Sequence, residues 1–157
     1  MRAITHITAG TAAAAVIWPT VDASAALGVL AFGGFLDVDH IPLFISSGLP
    51  ARPSALLRSI FSNEKQLAGR YEVRRGLPTN IIFPALHCVE FAAIPALAGW
   101  LLGSAFLLWG GIGVLLHILM DFWSYPCSPG FFSMTWRICN RKKLLEEWRG
   151  HRSKVPW

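Results

Sequence analysis

Four stretches of this chain contain no Asp, Glu, Lys or Arg: residues 3–21, 23–36, 76–89 and 91–120. A helix that crosses a bilayer needs about 20 predominantly apolar residues, and the last stretch is long enough for one helix, a turn and most of another. Soluble domains carry roughly a quarter charged residues; here 15% are charged and 54% hydrophobic. At 157 residues the chain has room for one domain. These features predict an all-α integral membrane protein, with about four transmembrane helices forming a bundle within a single domain, 1–157.

The breaks between helices follow from proline and glycine. Pro19, in Trp18-Pro19-Thr20-Val21-Asp22, disrupts a continuing helix. Pro42 pushes the residue before it away from helical geometry. Pro126 and the Pro129-Gly130 pair close the fourth segment, and residues 99–104 hold the weakest break. The predicted helices are about 3–18, 23–40, 80–101 and 105–123, with a loop over 41–79 and a tail over 124–157. The first two are short for a full crossing and imply tilt or local thinning.

The basic residues set the orientation. All 14 lie at Arg2, in the six between Arg52 and Arg75, or in the seven between Arg137 and Lys154. Four spans put those three regions on one side, and positively charged loops stay cytosolic. The reading is a multi-pass inner-membrane protein with both termini in the cytosol. The net charge of +5 then reflects topology and anionic lipid headgroups, and no nucleic-acid partner is expected. Trp18, Trp100 and Trp109 fall near the outer interface and Trp123 near the inner one, as aromatic belts do. The tail from Phe131 to Trp148 mixes aromatic and aliphatic residues with Arg and Lys, a composition suited to an amphipathic helix lying on the membrane surface.

The unusual chemistry is confined to four patches: His6; Asp37, Asp39 and His40; His87 and Glu90; His117 and Asp121. They hold four of the nine acidic residues and four of the five histidines. Ionisable residues embedded in apolar segments are expensive to keep and read as functional by default. The orientation taken from Lys and Arg alone brings every patch to the cytosolic end of the bundle. Spacings of three and four place Asp37/His40, His87/Glu90 and His117/Asp121 each on one helix face. Imidazole and carboxylate on facing helices is how bundles build metal sites. Nitrogen and oxygen donors without thiolate suit zinc, manganese or ferrous iron, and the donors suffice for one or two divalent ions, with the remainder orienting the ligands.

Plainer explanations compete at each position. Any single His–carboxylate pair reads equally well as an interhelical hydrogen bond, and His6 alone as a headgroup-level polar residue. Gly33-Gly34 and Gly110-Gly111-Ile112-Gly113 read as close-packing positions. Arg2, the apolar core and Ala23-Ser24-Ala25 also resemble a secretory signal with its cleavage site, which would remove His6. Cys88, Cys127 and Cys139 have no CxxC spacing and are expected as reduced thiols. Walker, dinucleotide and GxSxG motifs are absent from the sequence.

Thr5-His6, the Gly-Gly-Phe-Leu-Asp-Val-Asp-His run at 33–40, Leu86-His87 with Glu90, and Leu116-His117 with Asp121 resemble the YdjM-like inner-membrane proteins, a family described as metal-dependent hydrolases. The resemblance spans Thr5 to about Trp136. It implies His6, Asp37, Asp39, His40, His87, Glu90, His117 and Asp121 as the ligand set. Many members carry Arg-Gly-x-Thr-His-Ser where this chain reads Arg75-Gly76-Leu77-Pro78-Thr79-Asn80, so either His87 replaces that histidine or the metal count differs. The His-x-x-x-Asp element is also similar to one in zinc-dependent phospholipase C and P1-type nucleases, which suggests phosphoester hydrolysis.

The function expected from these readings is a membrane-embedded, metal-dependent hydrolase, with zinc the leading cofactor. His6, His87, His117 and Asp121 are the preferred ligands, and Asp37, Asp39 and His40 are shared between a second ion and the outer shell. Glu90 and Asp39 are the candidate catalytic carboxylates, Glu90 as general base. Arg74 and Arg75 are candidate contacts for an anionic, lipid-like substrate, with a positive-inside anchor as their alternative. A metal or proton transporter is the first rival, although transporters hold their coupling residues near the midplane. A non-catalytic scaffold with a structural polar cluster is the second.

Overall fold

A computed structural model of the protein describes residues 3–40, 54, 85–122, 128–143 and 146. All regular structure among them is helical. Helix α1 spans Ala3–Thr20 and α2 spans Ala23–Val29. A π-helical turn (Leu30–Gly34) and a 3-10 turn (Leu36–His40) continue α2. Helix α3 spans Val89–Leu102, α4 spans Ala105–Phe122, and a 3-10 turn (Pro129–Phe132) leads into the short α5, Met134–Cys139. Helix α4 lies between α3 and α2, and α1 packs on α2 and its π turn and meets α4 through His6.

Local chemistry explains most of the boundaries. Asp22 caps α2, its Oδ1 accepting the Ala25 N–H at 2.7 Å, so this acidic residue has a structural role. Gly103 closes α3 in the left-handed conformation, φ 64°, and the Ser104 N–H reaches back to the Gly99 carbonyl at 2.8 Å, the hydrogen bond of a glycine-terminated helix end. Helix α1 runs one residue past Pro19, with the Val21 N–H still bonded to the Ile17 carbonyl.

Two expectations about helices need correction. The second segment does not stay α-helical to residue 40, because it widens into a π turn at Leu30–Gly34 and tightens into a 3-10 turn after Phe35. The third does not run unbroken from 80 to 101. Residues 85–88 bend, Cys88 is extended (φ −141°, ψ 149°), and helical geometry starts at Val89. His87 therefore lies outside the helix that carries Glu90. Much of the loop 41–79, including Arg74 and Arg75, lies outside the described residues, as do Trp123 and the side chain of His40.

Glycines bring the backbones together beneath the polar patches. A methyl group built on Gly10 of α1 would lie 2.9 Å from the Gly34 nitrogen, and one on Gly113 of α4 would lie 2.9 Å from the Gly33 nitrogen. Both distances are shorter than any comfortable carbon contact, so only glycine lets α1 and α4 approach the π turn this closely. His6 precedes Gly10 by four residues and His117 follows Gly113 by four. Each histidine thus sits one helical turn from a point of closest approach, on the same face.

The distribution of polarity is inverted relative to a water-soluble core. The largest fully buried side chains include Arg137, His6, His87, His117 and Asp121, whereas Leu97, Trp100, Leu101, Leu102 and Leu119 are each more than half exposed. An apolar cluster of Leu36, Ala92, Val114, Ile118, Phe131 and Phe132 adjoins the polar one. One described helix, α4, is long and apolar enough to cross a membrane. In the segment after α4, Phe131, Phe132 and Arg137 are buried against the bundle.

Candidate metal centre

The polar patches converge at one end of the bundle. His6 is in the first turn of α1 and Asp121 in the last turn of α4. Asp37 and Asp39 follow the π turn, and His87 immediately precedes the N-cap of α3. Among the described residues, His6, Asp37, His117 and Asp121 form a group that could hold a metal ion, with one ligand atom from each lying within 4.8 Å of the others.

His87 belongs to the same constellation. Its Nε2 is 3.0 Å from His117 Nε2, 3.2 Å from Asp37 Oδ1 and 3.5 Å from Asp121 Oδ2. His117 Nε2 is in turn 3.4 Å from Asp37 Oδ1 and 3.5 Å from Asp121 Oδ2. Two overlapping donor sets therefore share Asp37, His117 and Asp121, one completed by His6 and the other by His87. Asp121 connects them, with Oδ2 toward His87 and His117, and Oδ1 3.1 Å from His6 Nε2.

The outer nitrogens decide what the inner ones present. His117 Nδ1 is 2.9 Å from the Gly33 carbonyl, which can only accept, so Nδ1 carries the proton. Gly33 lies in the π turn, where the regular α-helical ladder is interrupted. His87 Nδ1 is 3.2 Å from Asp39 Oδ2, which also accepts the Leu86 N–H at 2.8 Å. Both rings are thereby set, when neutral, with the Nε2 lone pair facing inward. This is the arrangement by which metal-binding histidines are oriented from outside.

His6 is fully buried and stacks on His117, with ring centroids 3.8 Å apart and planes 14° from parallel. Its Nδ1 has no hydrogen-bond partner among the described residues. Asp37 keeps a little solvent access, with 13% of its side chain exposed, whereas those of His6, His87, His117 and Asp121 have none. The centre is thus closed on the sides of α1 and α4 and opens beside Asp37.

The residues fit a cation on two grounds. Two inward lone pairs 3.0 Å apart repel unless a positive charge lies between them. Three carboxylates gathered in a nearly dry site also require compensation, because unpaired buried charge is strongly unfavourable.

Glu90 occupies a different place from the one expected. The extended residue Cys88 separates it from His87, so the two share no helix face. Its Oε1 accepts the Ser133 hydroxyl at 2.6 Å and the Thr135 N–H at 3.1 Å, and its Oε2 accepts the Met134 N–H at 3.0 Å. The carboxylate is committed to the start of α5. Arg137, which sequence reasoning passed over as one basic tail residue among seven, is fully buried, and its Nη2 donates to the His87 carbonyl at 2.6 Å. Its position in the tail gave no hint of this. No family model, curated protein or solved structure matches the chain.

Proposed function

We propose that the protein is a membrane-embedded, metal-dependent hydrolase acting on a phosphoester, lipid-like substrate at the cytosolic face of the inner membrane. The observation that carries the reading is the pair of Nε2 atoms 3.0 Å apart, each ring fixed from outside and each facing Asp37 and Asp121. Zinc is the ion best matched. Nitrogen and oxygen donors suit it, and His87, His117 and Asp121, whose Nε2 and Oδ2 atoms lie 3.0 to 3.5 Å apart, would hold it with a position left for water. His6, through the other oxygen of Asp121, could serve a second ion.

A bound divalent ion would supply Lewis acidity, polarising the scissile ester and making water acidic enough to attack near neutral pH. The chain's own groups do the rest. Asp39 Oδ2 holds the Nδ1 proton of His87, and the Gly33 carbonyl holds that of His117, so neither ring can turn. Asp37, on the open side, is the cluster carboxylate best placed to take a proton from arriving water. With Glu90 engaged by α5, the base role expected for it has no support in its contacts.

The membrane setting rests on the charge-free segments, the one-sided basic residues and the apolar exterior surrounding a polar interior. A four-span bundle puts the centre at headgroup depth, where a lipid phosphoester would be presented. The resemblance to the YdjM-like proteins implies the same activity. Metal analysis of the purified protein, with a phosphoester substrate screen under zinc, manganese and iron, tests the proposal. Stoichiometric metal together with metal-dependent turnover supports it, and protein that binds no metal under chelator-free, metal-supplemented purification sinks it.

The Nε2 pair favours one other reading. A single extra proton shared between His87 and His117 would also reconcile the two lone pairs, and the cluster would then be structural glue for a scaffold. The same metal analysis separates the two.

A further inference from the structure

Two charged side chains that the proposed chemistry leaves unused join the His87 region to the C-terminal segment. They run in opposite directions. From the first turn of α3, Glu90 reaches the start of α5 and accepts hydrogen bonds from Ser133, Met134 and Thr135. From α5, Arg137 reaches back to the residues just before α3 and donates through Nη2 to the His87 carbonyl. Arg137 Nε donates to the Phe131 carbonyl, and the guanidinium lies over the Phe131 ring, 4.3 Å from its centroid.

Helix α5 has six residues, too few to be stable without tertiary support. Its N-cap is Ser133, whose Oγ accepts the Trp136 N–H at 3.2 Å while donating to Glu90. The helix is therefore held at one end by Glu90 and at the other by Arg137. Both attachments land within three residues of each other, at His87 and Glu90.

His87 needs such support. It lies on bends and not within a helix, so no backbone ladder fixes its Cα. Asp39 fixes the ring and the preceding N–H, and Arg137 holds the His87 carbonyl. A guanidinium is suited to this task, because its rigid fork of donors can hold two carbonyls at once and its charge persists when buried.

We infer that Glu90 and Arg137 are positioning residues for His87, which bring the C-terminal helix into the frame of the metal centre. This rests on the metal-centre reading above. In that frame they act through the backbone of His87 and touch neither metal nor substrate. Outer partners of metal ligands commonly change affinity by about 10- to 100-fold, and that is the range expected here.

The test uses the full-length protein in detergent. Zinc affinity is measured by competition with a chromogenic chelator, and the cobalt-substituted protein is examined by visible absorption. Arg137→Met and Glu90→Gln are expected to weaken zinc binding about 10- to 100-fold without changing stoichiometry at saturation, and to alter the cobalt ligand-field bands. In a His87→Ala background, where the positioned ligand is gone, Arg137→Met should change affinity by less than about threefold, the non-additivity expected of coupled residues. Arg137→Lys keeps the charge but loses the fork and should fall between wild type and Arg137→Met. Should Arg137→Met fail to fold, Arg137→Lys and Glu90→Gln carry the comparison.

Wild-type affinity and an unchanged cobalt spectrum in these variants would overturn the positioning role while leaving the metal centre intact. An equal loss with and without His87 would overturn it too, marking the two residues as general supports of the fold. Wild-type protein that takes up no metal defeats the metal-centre reading, and this inference with it.

Discussion

Asp39→Asn isolates what the orientation of His87 contributes to metal binding. The two side chains have nearly the same shape, and Asp39 Oδ2 serves two donors, His87 Nδ1 at 3.2 Å and the Leu86 N–H at 2.8 Å. The amide oxygen of Asn can still accept both, but without charge. A hydrogen bond to a charged group contributes about 1.5–3 kcal/mol and a neutral one about 0.5–1.5, so each bond weakens by about 1 kcal/mol. If both losses reach the metal, affinity falls by about 2 kcal/mol, or roughly 30-fold; if only the imidazole bond counts, the fall is about fivefold. Chelator competition on purified protein covers this range, and thermal unfolding of the metal-free form controls for damage to the fold. Zinc affinity within twofold of wild type would refute the reasoning, since His87 would then bind without help from Asp39 or not bind at all.

Variants of the proposed ligands should behave differently in kind. His117→Ala and Asp121→Ala each open the coordination sphere and should abolish stoichiometric metal, read by elemental analysis. Gly113→Ala drives a methyl group to 2.9 Å from the Gly33 nitrogen and 3.0 Å from the Val29 carbonyl. It should destabilise the fold by about 1–3 kcal/mol, the usual range for overpacking, seen as a lower unfolding temperature in detergent. Excess zinc at about 100 times its Kd should stabilise the wild type by about 2.7 kcal/mol and leave His117→Ala unmoved, and equal stabilisation of both would mean the metal binds elsewhere. Reporter fusions after Ser46 and at the C-terminus should both report the cytosol and a fusion within residues 18–24 the opposite side, and opposite signals from the first two would overturn the four-span topology.

The gathering of His6, Asp37, His87, His117 and Asp121 at one end was legible in the sequence, because helix polarity and the placement of Lys and Arg suffice to align them. The approximate spans of the first and last apolar helices, Ala3–Thr20 and Ala105–Phe122, were equally legible from charge-free length. What the sequence concealed was backbone geometry between residues. Counting i, i+3 assumes one helix, and the extended residue Cys88 turns His87 and Glu90 to separate partners. The π turn was hidden for a related reason: the Gly33-Gly34 pair of Leu30–Gly34 marks a weak point in a helix but does not say which turn replaces it. Arg137 was hidden by composition, since its neighbours Arg141, Lys142 and Lys143 are exposed and identical in type.

The proposed ligands come from segments far apart in the sequence, from His6 in the first helix to Asp121 at the end of the fourth. A ribosome that has finished α1 and α2 has made only part of the site, and a partial set holds an ion weakly. If the proposed centre binds metal, stable loading would wait until α4 has been synthesised and packed, and tight loading until residues 133–137 have emerged and docked. Metal capture would then follow the docking of α5. Occupancy would report that every segment has reached its place, and a truncated or misinserted product would stay empty and more easily unfolded, because metal-binding energy stabilises only the assembled state.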